Sequence, residues 1–156
     1  MSPEERFLSI PKIPPQIEIP ADSPFQLFRL DGPYLYLSGH GPGWGNDFSH
    51  NLGKVGRDLD TKQGQYAANV CMLNLLQTTR KALGSLDKVE NITEVFGIVN
   101  STSEYKDHSN VINGASELLK FVFGEKAYHT RVAMGASSLP FNFSVEIKMI
   151  LKYKQV

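Results

Sequence analysis

Two runs in the last quarter of the chain alternate in polarity with a period of two, split by Ser137-Ser138-Leu139-Pro140. Val132, Met134, Ala136, Phe143, Val145, Ile147 and Met149 fall on one side of the alternation. Arg131, Ala133, Gly135, Asn142, Ser144, Glu146 and Lys148 fall on the other. A period of two means strands with one face on a core and the other on something polar, so the chain has to build a sheet. Read as a hairpin with Ser138-Leu139 as a two-residue loop, the runs set Arg131 directly opposite Glu146. Pro140 weakens that register, because proline cannot donate to the ladder. An opposed Arg and Glu is either an ion pair worth about 0–1 kcal/mol on a solvated face, or a site that binds an anion and moves a proton. The small residues beside the pair leave room for a ligand.

The sheet needs helices to cover it, and the sequence supplies two. One is capped at Asp60 or Thr61 and runs to Leu83, with Gly84 as its stop. Its apolar stripe is Ala68, Cys71, Met72, Leu75, Thr79, Ala82 and Leu83. The second starts at Asp107 or Ser109, carries Val111, Ala115, Leu118, Leu119 and Val122, and ends at Gly124. Residues 25–30 and 34–38 read as strands around Asp31-Gly32-Pro33, and residues 92–99 as a further strand. Residues 39–46 form a glycine-rich loop, and residues 47–58 read as irregular structure. Residues 1–22, with Pro11-Lys12-Ile13-Pro14-Pro15 in the middle, read as an extended arm and not a helix. Residues 23–156 then make one α+β domain in the order β-β-α-β-α-β-β. Two helices lie naturally on one face of such a sheet. The other face lacks a cover within the chain, which predicts a homo-oligomer with the polar strand face near a subunit boundary.

Composition narrows the function classes. Sixteen basic and sixteen acidic residues cancel, and no basic stripe stands out, which argues against nucleic-acid binding. Cys71 is the single cysteine, so neither a disulfide framework nor a cysteine-based zinc site is available. On the helical stripe it reads as a buried structural thiol. His40, His50, His108 and His129 make no metal-binding spacing, so no metal and no cofactor is expected. The glycine-rich loop lacks the Lys-Ser/Thr of a P-loop and reads as one wall of a pocket, with Trp44 as a lid or an oligomer contact. His129, two residues before Arg131, could tune a site there, and Asn113 could present an amide to a ligand. No run has membrane-spanning length, and the acidic start, Met1-Ser2-Pro3-Glu4-Glu5, is not a secretory signal. The expectation is a cytoplasmic protein.

Ser23-Pro24-Phe25, Leu35-Tyr36-Leu37-Ser38-Gly39-His40, Gly84-Ser85-Leu86-Asp87-Lys88-Val89 and the stretch from Arg131 through Leu139-Pro140 to Val145-Glu146-Ile147 together resemble the Rid/YjgF family. The resemblance spans roughly residues 23–152, and the arginine, Leu-Pro and Val-Glu-Ile element is its specific part. It implies a chorismate-mutase-like α+β fold, with a mixed sheet, two helices on one face and a barrel-like homotrimer whose ligand sites lie between subunits. It also implies hydrolysis of reactive enamines and imines to 2-keto acids and ammonia. On that resemblance Arg131 binds the substrate carboxylate, Glu146 orients the water, and Ser38 and Asn113 line the pocket. Two positions depart from the family pattern: Phe25 stands where the family has tyrosine, and Ala133 where it has cysteine. The longer arm and the insertion around residues 43–51 point to a divergent branch. The rival reading is a trimer that binds a small carboxylate without turning it over. RNA cleavage, linked to some family members, is disfavoured by the zero net charge.

Overall fold

In the computed structural model, which describes residues 1–155, the order is α1 (Pro3–Leu8), β1 (Phe28–Asp31), β2 (Tyr34–His40), α2 (Thr61–Leu83), β3 (Val89–Asn100), α3 (His108–Phe123), β4 (Thr130–Ala136) and β5 (Val145–Tyr153). Val156, the last residue of the expected domain, lies outside the described residues. The ends of α2 follow local chemistry. The Asp60 side chain accepts from the Gln63 N–H while Gln63 reaches back to the Asp60 N–H. Gly84 closes the helix in the left-handed region at φ 86°. The two long helices run close together. A Cβ on Gly114 would lie 2.0 Å from the Gln65 carbonyl oxygen, so that contact admits only glycine.

The sheet order is β1-β2-β5-β3-β4, and only the β3–β4 pair is parallel. This corrects the hairpin. β4 and β5 are not partners, because β3 lies between them. The helix α3 is a crossover that returns the chain parallel to β3 and leaves β4 at the edge. β5 buries Val145, Ile147, Met149 and Leu151 completely, which only a central strand can do. Residues 137–144 are the connection between them, with a short 3-10 turn at Pro140–Asn142 in place of a two-residue loop.

The faces of β4 are also the reverse of the hairpin reading. Gly97 of β3 touches Ile112 of α3, so it lies on the helix-covered face. Its neighbours across the sheet are Ala133 and Ile147. Arg131, Ala133 and Gly135 therefore turn toward the helices, and Val132 and Met134 lie on the open face, 48% and 46% exposed. Tyr34 and Tyr36 share that open face while Leu35 and Leu37 are buried. An apolar face without a cover is what the alternation in β2 predicts.

The segment before residue 23 is not wholly extended. Ser2 and Glu5 cap α1 reciprocally, and Phe7 is fully buried in the core. Glu4 ion-pairs with Arg80 of α2 at 2.8 Å and accepts from the Leu86 N–H. The prolines exclude helix only from residue 11 onward, and Pro3 at the first helical position is compatible with one, which left Pro3–Leu8 free to form it.

Candidate functional site

Arg131 sits on the edge strand β4 and extends along α3. Its Nη1 donates to Asn113 Oδ1 at 2.8 Å and to Ser116 Oγ at 3.1 Å. Its Nη2 donates to the Ser109 carbonyl and hydroxyl at 3.4 and 3.3 Å. Four acceptors from one helix thus fix the guanidinium plane, and none is a carboxylate. Ser116 also meets His129 Nε2 at 3.0 Å, while His129 Nδ1 lies 2.5 Å from the Ala127 carbonyl. Nδ1 must donate to that carbonyl, so Nε2 accepts from the Ser116 hydroxyl. Burial, with a smaller contribution from the Arg131 charge, lowers the His129 pKa and favours this neutral form. His129 is thus linked to Arg131 through the Ser116 hydroxyl. Ala133, two residues on, packs against the core beside this group.

Glu146 is elsewhere. It lines a cavity of about 310 Å³ with Phe25, Gly39, His40, Phe48, Phe141 and Phe143, together with Ile17 and Ile19 of the N-terminal segment. A Cβ on Gly39 would lie 2.8 Å from Glu146 Oε2, so glycine there makes room for the carboxylate. Loss of water raises the Glu146 pKa, and no hydrogen bond or cation opposes that rise. The structure corrects the expected placement of Glu146 directly opposite Arg131. Arg131 and Glu146 occupy opposite faces, two strands and three residues apart, roughly 14 Å between Cα atoms.

Phe25 and Ser38 belong with Glu146 and not with Arg131. Phe25 separates the cavity from an open groove of about 370 Å³ that Ser38 and Lys148 line. The Ser38 hydroxyl donates to the Gln26 carbonyl at 2.5 Å. The glycine-rich loop forms one wall of the Glu146 cavity, as expected, and it is anchored. Asn74 of α2 donates to the carbonyls of Gly41 and Gly43 at 3.1 and 2.8 Å. His40 is buried behind this wall, bonded to the Ser38 carbonyl and to Thr78 Oγ1 at 2.8 Å, and burial holds its pKa down to about 4. Cys71 is buried with its pKa raised by desolvation, a structural thiol. Among the described residues no cluster of ligating side chains could hold a metal ion, and no helix is long and apolar enough to cross a membrane.

The sequence reading missed Ser109 and Ser116, although Ser109, Asn113 and Ser116 fall at i, i+4 and i+7 of one helix, a polar stripe beside the apolar one. It also missed Phe48, Phe141 and Phe143, whose meeting depends on loops.

The five-stranded mixed sheet with two main helices on one face is the expected fold, and a family comparison places it. Residues 18–152 match the family model described as "YjgF/chorismate_mutase-like, putative endoribonuclease". The chain belongs to the YjgF (Rid) family. Protein TCP17 of Trypanosoma cruzi is 37% identical over 127 residues, 80% of this chain and 78% of that protein. Atu1372 of Agrobacterium tumefaciens, a protein of unknown function, is 37% identical with a TM-score of 0.88, covering 97% of this chain and 92% of its own. E. coli TdcF, solved with bound serine, is 19% identical with a TM-score of 0.57, over 91% of this chain and 98% of its own. TdcF thus shares the YjgF fold, whereas Atu1372 and TCP17 share the divergent branch.

Proposed function

We propose that this YjgF protein binds a small carboxylate-bearing 2-imino or 2-enamino acid and hydrolyses it to a 2-keto acid and ammonia, with Arg131 from one copy and Glu146 from a neighbouring copy in a homotrimer. The observation that carries this reading is the desolvated Glu146 carboxylate on a cavity wall, without a hydrogen-bond partner among the described residues, in a chain whose fixed guanidinium lies two strands away on the edge strand β4. A planar guanidinium holds a carboxylate through two charge-assisted hydrogen bonds; Asn113 and Ser116 take both Nη1 hydrogens and orient the group, and the carboxylate meets Nε and Nη2 by displacing the long Ser109 contacts. TdcF, which shares the fold, holds serine, itself a carboxylate.

In the reaction a water oxygen bonds to the C=N carbon and its proton passes to Glu146. The nitrogen, which now holds the former π pair, takes that proton and completes the carbinolamine. Glu146 then takes the hydroxyl proton and passes it to nitrogen as the C–N bond breaks, so ammonia leaves and the hydroxyl oxygen becomes the keto carbonyl. A carboxyl whose pKa is raised by loss of water is a stronger base than a solvated one, which suits its part as proton acceptor and donor. Imine hydrolysis is intrinsically easy, so positioning plus one base is enough. Phe25 offers no hydroxyl at this wall, which leaves the proton transfers to Glu146. Phe25 also favours the second reading, a carboxylate-binding trimer without turnover.

The test generates 2-imino acids in situ with an amino-acid oxidase and follows keto-acid release. The wild type accelerates release and Arg131→Ala abolishes the acceleration. An unchanged rate in Arg131→Ala would sink the enzymatic role. Ligand-dependent thermal stabilisation lost in Arg131→Ala, with no accelerated release in the wild type, would select the binding reading.

A further inference from the structure

The cavity beside Glu146 is built for more than a three-carbon acid. Its volume of about 310 Å³ lies at the lower end of small-molecule pockets, roughly 300–1,000 Å³. Glu146 is its only carboxylate, and His40, the other titratable group on the wall, is held neutral by burial. The rest is apolar. Phe48, Phe141 and Phe143 form a three-ring cluster with centroid distances of 4.9, 5.3 and 5.3 Å. Ile17 and Ile19 close one side from the N-terminal segment, and Phe25 another.

Phe141 is held at an energetic cost. It and Asn142 both adopt positive φ, 59° each, a conformation that bulky side chains avoid. Its ring nevertheless stays 66% exposed, so burial in the core does not repay the strain. What the backbone achieves is to set that ring on the cavity wall beside Phe48 and Phe143. Strain kept at such a position marks a ligand contact.

The geometry points to a ligand with a bulky apolar side chain, aromatic or branched, seated among Phe48, Phe141 and Phe143, with an N–H donor at its reactive end facing Glu146. Resting on the function proposed above, the substrates are imino acids derived from large apolar amino acids, and the phenylalanines set that specificity. A three-carbon imine has a methyl group to offer this wall. A phenyl or isobutyl group buries far more apolar surface against it, and in apolar pockets such differences are worth on the order of 100-fold in kcat/KM.

The experiment compares imines generated in situ from phenylalanine, leucine and alanine, and in parallel titrates L-phenylalanine and L-alanine by calorimetry. The expected kcat/KM ratio of the phenylalanine or leucine imine to the alanine imine is on the order of 100, and it falls at least about tenfold in Phe48→Ala and Phe141→Gly. Glycine at 141 relieves the positive φ, so this variant melts no lower than the wild type and a lost ratio is not a folding defect. A ratio near one, or one unchanged in Phe141→Gly, overturns the inference. If no imine is accelerated, imine hydrolysis is the reading that fails, and the titrations decide the cavity. L-Phenylalanine binding at least about tenfold tighter than L-alanine, with the difference lost in Phe141→Gly, upholds it. Equal affinities overturn it.

Discussion

Glu146 gives up water at the cavity wall and gains no donor or cation in exchange, whereas His40 behind the loop gives up water and stays neutral. Their effects on stability run in opposite directions. The folded Glu146 pKa is raised, so folding is favoured at pH values below its ordinary value of 4.5 and that advantage is lost as pH rises through the raised value. The folded His40 pKa is lowered from 6.5 to about 4, so its contribution is present above 6.5 and lost as pH falls toward 4. For a group this buried the loss approaches about 3 kcal/mol at 1.36 kcal/mol per unit. Thermal melts of wild type and Glu146→Gln between about pH 4 and 8 separate the two. Glu146→Gln melts higher than wild type at pH 7, and the gap closes toward pH 4. Both proteins lose stability below pH 6.5, because both keep His40. A Glu146→Gln variant that melts lower at pH 7 would mean that the carboxylate has a partner in the assembled protein.

Among the elements, α2 and α3 were legible because their signals are local. Asp60 and Gly84 bracket one helix within its own sequence, and the apolar stripes name the buried sides. The pairing of β4 with β5 was illegible because strand partners are set by what each strand can bury. Alternation is identical in an edge strand and a central one, and the small residues Ala133 and Gly135 read equally as a ligand floor or as a seat for α3. Arg131 and Glu146 were therefore singled out with the wrong geometry between them. Gly114 was likewise unmarked, since a glycine inside a helix shows its purpose only when the neighbouring helix is in place. Gly114→Ala gains helix propensity of about 1 kcal/mol and meets the Gln65 backbone, overpacking that costs about 1–3 kcal/mol. A contact this short sits at the upper end, so urea unfolding registers a net loss. A stabilised variant would show that α2 and α3 stand further apart.

At the scale of the whole molecule, Arg131 stands on the edge strand β4 facing the helices, Glu146 stands on the central strand β5, and the face that carries Glu146, Tyr36, Val132 and Met134 has no cover within the chain. Arg131 with Asn113 and Ser116 lies at the β4 edge, and Glu146 with Phe25 and Ser38 toward the β1–β2 side. Two different patches that complete one another make a head-to-tail contact, and such contacts close into rings when the rotation allows. A trimer with three shared sites is the arrangement the family resemblance implies, and Tyr36, Val132 and Met134 are the exposed apolar residues such an assembly would have to cover. Mixing two dead variants tests this most directly. Arg131→Ala and Glu146→Gln are each inactive in imine hydrolysis alone. Unfolded together in equal amounts and refolded, they regain about a quarter of wild-type activity, because random assembly pairs an intact arginine with an intact glutamate at about one site in four. A mixture as inactive as either variant would contradict a site shared between copies.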